Sequence, residues 1–172
     1  MASKMSLLKI ITREVKYRLE EESVPRIKKC FDHLSEEEIW RSPNENLTSV
    51  GNLILHLCGN VRQYILFGLG NAPDNRKRQE EFDHQDIISK DILLSKLDEL
   101  MLEVDHILDE LPAESMTRKY NVQGMEITGF GILMHVVEHF SYHVGQITWY
   151  TKLVKDIDMK YYGDRDLNKT GN

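Results

Sequence analysis

The chain has 172 residues, of which 41% are hydrophobic and 29% charged, with a formal net charge of -6. That length suffices for one domain with a substantial core, and the share of Leu, Ile and Val excludes a disordered polymer. The negative balance, without a window rich in Lys and Arg, argues against a nucleic-acid partner, and no apolar run approaches the roughly 20 residues of a membrane span.

The amino terminus, MASKMSLLKI, lacks an apolar core followed by a small-residue cleavage site, so no secretory signal is expected. Helical periodicity then runs over residues 5–33, through Leu7, Ile10, Ile11, Val15 and Leu19, then Ile27, Cys30 and Phe31. Pro25 interrupts it and predicts a kink, or a restart with the proline in the first turn. Ser35 with Glu38 forms a capping-box pattern before Ile39 and Trp40, predicting a short helix near 35–41 that Pro43 stops. SPNENLTS (42–49) reads as a loop whose Thr48 or Ser49 caps a helix over 50–69, ended by Gly68 and Gly70.

Residues 70–86, GNAPDNRKRQEEFDHQD, read as a polar loop long enough to suggest a function. Apolar spacing over 89–111 predicts a long amphipathic helix, closed by Pro112. KYNVQGMEIT (119–128) is the one extended-looking segment, and the last helix spans about 129–154 before a charged tail that begins near 156. Together these elements predict an all-α fold, a single-domain four-helix bundle over 1–172. The two cysteines, Cys30 and Cys58, form no C-x-x-C pair, and Cys58 in LILHLC reads as a small buried hydrophobe. A reduced, cytoplasmic protein is expected.

The last helix carries MHVVEHFSYHVGQI, with histidines at 135, 139 and 143. A helix can offer two ligands to one ion when they sit on adjacent turns, so His135/His139 and His139/His143 both qualify. His135 and His143 are about 12 Å apart along the axis at 1.5 Å per residue, too far to share an ion comfortably. A third ligand must come from elsewhere. His56, in the apolar run LILHL, needs a partner for its ring nitrogens and sits on a helix able to face the last one. Three neutral imidazoles would leave one or two coordination positions open, as a catalytic metal requires. His33, His84 and His106 lie in polar surroundings and are expected in solvent, and Glu138 is expected to point outward.

Several stretches carry a family resemblance: LILHLCGN, NRKRQEEF, VQGMEITGF and VVEHFSYHVGQITWYTK, in that order. They resemble the DinB/YfiT-like family of four-helix-bundle metalloproteins over about residues 25–155. The resemblance implies a metal triad of His56, His139 and His143, leaving His135 as a core histidine or a weak catalytic candidate. It implies one divalent ion, zinc or nickel, and a low-molecular-weight thiol as cosubstrate. The implied reaction is S-transfer from such a thiol to small electrophiles, by a homodimer. A hydrolase that activates water on the same ion, or a non-enzymatic metal-binding stress protein, are the alternatives.

Around the triad, Arg76 and Arg78 are candidates to bind a substrate carboxylate, and Glu81 is a weak catalytic candidate. Asn60 and Gln63, one and two turns beyond His56, are expected at the substrate, and Gln146 beside His143 as a partner that orients an imidazole. Gly145 is expected to permit close helix packing. Phe140, Tyr142, Trp149 and Tyr150 read as core or dimer surface.

Overall fold

The computed structural model describes residues 6–171, so Met1–Met5 of the amino-terminal stretch read for a targeting signal fall outside it. Four long rods form the bundle. The first joins α1 (Leu7–Lys16), a π-helical stretch (Tyr17–Ser23) and α2 (Val24–His33). The second joins α4 (Val50–Val61) to a π-helical stretch (Arg62–Leu69). The third is α6 (Lys90–Glu110) and the fourth α7 (Gly129–Lys155). Short helices α3 (Glu36–Trp40) and α5 (Arg78–Asp83) lie in the connections, followed by a single 3-10 turn (Ala113–Met116). A hairpin of β1 (Lys119–Val122) and β2 (Met125–Thr128) leads into α7. α7 packs on α2 and α4, and α6 closes the ring against α4 and the first rod.

Each boundary has a local cause. Ser49, Ser89 and Thr128 accept backbone N–H groups at the starts of α4, α6 and α7, and Ser35 with Glu38 completes a reciprocal capping box at α3. The hairpin turns through Gln123 and Gly124, both at positive φ (53° and 74°), as a two-residue turn of the I′ type demands. Pro25 does not break the first rod. It sits in the first turn of α2, directly after the π-helical stretch, whose wider winding takes up the ring that would clash with a carbonyl in a tight α turn.

The core follows from helical periodicity. Ile132, Leu133, Val136, Phe140, Val144 and Ile147 line one face of α7 and are all buried, each burial contributing roughly 1.5–3 kcal/mol. The row His135, His139, His143 runs beside that apolar stripe, so the histidines are held at the edge of the core.

Three expectations change. The 70–86 connection is not wholly a loop, because α5 forms within it and packs on α4. The tail does not trail away: Met159 is buried, and the Tyr161 hydroxyl lies 2.8 Å from that of Thr148 and 3.3 Å from the Cys30 sulfur. His84 is half-buried against the Trp40 ring instead of solvated, at a centroid distance of 5.3 Å. Both cysteines are free and buried, and burial pushes the Cys58 thiol up to about 12, so it is no nucleophile at neutral pH.

Candidate metal centre

Three imidazoles meet where α4 faces α7. His56 Nε2 lies 3.1 Å from His139 Nε2, which lies 3.2 Å from His143 Nε2. All three ligand atoms fall within 4.8 Å of one another, and His56 and His143 are buried. The arrangement can bind a metal ion.

Hydrogen bonds on the far side of each ring decide where the lone pairs point. His56 Nδ1 is 2.9 Å from Glu81 Oε2 and 3.2 Å from Arg76 Nη2; the guanidinium nitrogen already donates to that same oxygen at 2.8 Å and the carboxylate can only accept, so Nδ1 carries the proton and donates to Glu81. His143 Nδ1 donates in the same way to Gln146 Oε1 at 2.7 Å. Both Nε2 atoms therefore present lone pairs to His139 Nε2, which has one proton at most and can satisfy one of them. His139 Nδ1 is buried without a partner. At least one of the two contacts therefore sets nitrogen lone pairs facing each other with no proton between them, and a cation there would relieve it. Nitrogens about 2.0–2.1 Å from a tetrahedral ion are separated by about 3.3 Å, close to the two spacings observed. The donor set fits a divalent ion with imidazole preference.

The electrostatics favour the neutral, ligating form of His139 and His143. Burial lowers His139 to about 3, with His143 and His56 adding to the effect. Burial also lowers His143, outweighing the Gln146 bond, and lowers His135.

Behind His56 stands a buried ion pair. Arg76 donates to Glu81 through Nε (2.7 Å) and Nη2 (2.8 Å), a bidentate fork, and its Nη1 donates to Gln63 Oε1 at 2.9 Å. Burial alone would raise Glu81, but the bonds from Arg76 and His56 outweigh it and hold the carboxyl below its usual range. Gln63 in turn donates to Asp74 at 2.8 Å. Gly59 makes room for this pair, since a Cβ there would meet Glu81 Oε1 at 1.9 Å.

The other candidate residues take varied places. Arg76 faces inward onto Glu81 and Gln63, so its guanidinium is already occupied, and Glu81 buttresses His56 from behind. Arg78 lies over the Phe82 ring at 4.8 Å, and Phe82 packs on His56 at 4.7 Å. Asn60 sits with His135, its Nδ2 3.3 Å from His135 Nε2, and His135 stacks on Tyr64 at 4.1 Å. His135 lies outside the converging set. Glu138 is exposed.

Residues 9–163 match the family described as "Protein of unknown function (DUF1572)". The chain belongs to DUF1572. No curated protein matches this DUF1572 chain. Among solved structures it is similar to a conserved protein from Enterococcus faecalis, with TM-score 0.67 and 15% identity over 89% of this chain and 99% of that one. It is similar to a DinB-like protein from Bacillus cereus (TM-score 0.62, 16% identity, 78% and 87% covered). A DinB-like protein from Bacillus subtilis gives TM-score 0.62 at 16% identity, with 82% and 91% covered. These likenesses establish the DinB-like bundle fold that the sequence resemblance implies.

One residue of the DUF1572 site escaped the sequence reading. Asn52 donates through Nδ2 to the carbonyls of Glu81 and His84, each at 2.9 Å, and accepts from the Ser49 hydroxyl at 2.5 Å. It fastens the end of α5 to α4. A buried amide one turn before His56 is the signal that could have found it.

Proposed function

We propose that this DUF1572 protein is a divalent-metal-dependent S-transferase that joins a low-molecular-weight thiol to small electrophiles. The observation that carries the reading is the convergence of three Nε2 atoms at 3.1 and 3.2 Å beside a cavity that reaches His143. A divalent cation, zinc or nickel, held by His56, His139 and His143 would stabilise the incoming thiol as its thiolate, the nucleophilic form.

The chain's own groups do the rest. Glu81 fixes the His56 ring and its tautomer, and Gln146 does the same for His143. Cys58 is buried and held in its thiol form, which supports an external thiol as the nucleophile. In the reaction the thiol loses its proton to solvent and its sulfur forms a C–S bond. The leaving group departs with the electron pair of the bond it gives up.

The test is a product analysis. Protein loaded with zinc or nickel is incubated with 1-chloro-2,4-dinitrobenzene and glutathione, bacillithiol or mycothiol, and the product is identified by mass. A thioether with release of chloride, lost in His139→Ala, is expected. A dinitrophenol product would make the protein a hydrolase, and no turnover with any pair would count against both enzymes.

A further inference from the structure

Gly145 stands in the interior of α7, two residues after His143, where glycine weakens a helix relative to alanine. Close packing is the usual compensation, and it is missing here. A Cβ built at Gly145 meets nothing within 4 Å, whereas at Gly51 or Gly59 it would strike Trp40 or Glu81. The expectation of helix–helix packing at Gly145 is thereby corrected: the space beside it is open and belongs to a cavity.

That cavity has a volume of about 580 Å³, within the range of small-molecule sites, and Gly145 and His143 both line it. Four aromatic side chains, Phe82, Tyr142, Trp149 and Tyr150, stand in its walls beside aliphatic Leu47, Val50 and Leu53. Phe82 joins it to His56, while Tyr142 and Trp149 remain 63% and 62% exposed, more apolar surface than α7 needs to leave in water. Arg41 is the one formally charged side chain among the lining residues, and no carboxylate lines the wall. Among the described residues Arg41 forms no salt bridge, in contrast to the buried Arg76.

We infer that this cavity binds an aromatic or apolar small molecule bearing a single anionic group, with Arg41 anchoring the anion and Gly145 leaving the space for the body to lie against His143. Arg41 and Gly145 are then specificity-determining residues. As a statement about substrate this rests on the transferase reading, whereas the binding it predicts needs no ion.

The experiment uses a matched pair of fluorescent probes on the full chain, free of metal. 1-Anilinonaphthalene-8-sulfonate carries a naphthalene body and one sulfonate, and N-phenyl-1-naphthylamine has the same body without charge. Arg41→Gln weakens the sulfonate about tenfold and leaves the neutral probe unchanged, the loss of one charge-assisted contact. Gly145→Leu weakens both at least about tenfold by filling the space, while near-UV circular dichroism stays native. An unchanged ratio of the two affinities in Arg41→Gln overturns the inference, as does undiminished binding in Gly145→Leu. So does a second copy of the chain covering the cavity, seen by sedimentation as a dimer whose dissociation restores the probe. Elemental analysis of the parent chain after exposure to zinc or nickel, set beside the probe titration, separates the two readings. Probe selectivity in a parent chain that takes up neither ion keeps the pocket and removes the metal. Bound metal without probe selectivity does the reverse.

Discussion

Glu81 accepts the Nδ1 proton of His56 at 2.9 Å while Arg76 grips the same carboxylate with two nitrogens. A group twenty-five residues downstream thus decides which nitrogen of His56 faces the other histidines. Replacing it isosterically tests that role. Glu81→Gln keeps the shape but weakens the orienting bond, and metal affinity falls about 10–100-fold. Competition against a chelator of known affinity measures the change, and an unaltered constant would strip Glu81 of its positioning role.

Gly59 tests the same geometry from the other side. A methyl at that position would lie 1.9 Å from Glu81 Oε1. Gly59→Ala must therefore push the carboxylate off His56, costing about 1–3 kcal/mol of stability through overpacking. Denaturant unfolding gives the stability, and the same chelator titration gives the metal. A variant that is more stable than the parent, as helix propensity alone would make it, contradicts the packing described here.

His139 bridges the other two rings, so His139→Ala loses the ion while the bundle stays folded, its core being apolar. His135→Ala keeps the ion, since His135 bonds Asn60 and lies outside the cluster. Elemental analysis with far-UV circular dichroism decides both. Stoichiometric metal in His139→Ala would refute the ligand set.

The pH dependence has a fixed sign. His139 is lowered from 6.5 to about 3, and His135 and His143 are lowered too, so below pH 6.5 the unfolded chain binds protons that the folded chain resists. Metal-free protein is therefore most stable above pH 6.5 and loses stability as the pH falls toward 3. Glu81, held below 4.5, adds loss in the same direction at the acid end. Urea midpoints measured from pH 8 to pH 4 check it, and a flat profile between 7 and 5 would be inconsistent with buried neutral imidazoles. Added zinc raises the midpoint most near pH 7–8, because protons compete for the same nitrogens.

Much of the scaffold was legible because its signals are local. Capping pairs such as Ser35–Glu38 and periodic apolar positions mark where helices start and which way they face. The four-residue spacing of the histidines on the last helix needs only one helix to interpret and His56 stands out by its apolar surroundings, while the choice of His139/His143 over His135/His139 came from resemblance. What the sequence hid is long-range. Arg76 reads as a candidate for a substrate carboxylate in a charged loop, yet the loop docks on α4 and turns that guanidinium inward onto Glu81 and Gln63. Gly145 reads as a packing glycine, and only the facing surface reveals that nothing packs there. Tyr161 sits in a polar tail whose return to Cys30 has no periodic signature.

The Asn52 clamp couples distant parts of the molecule. Its amide holds two carbonyls of the 81–84 segment, so the histidine cluster inherits its alignment from a tether that never touches an ion. Random mutagenesis scored for metal retention would accordingly return hits at Asn52, Ser49 and Gly59 alongside the histidines, a pattern that a map of ligand atoms alone would leave unread.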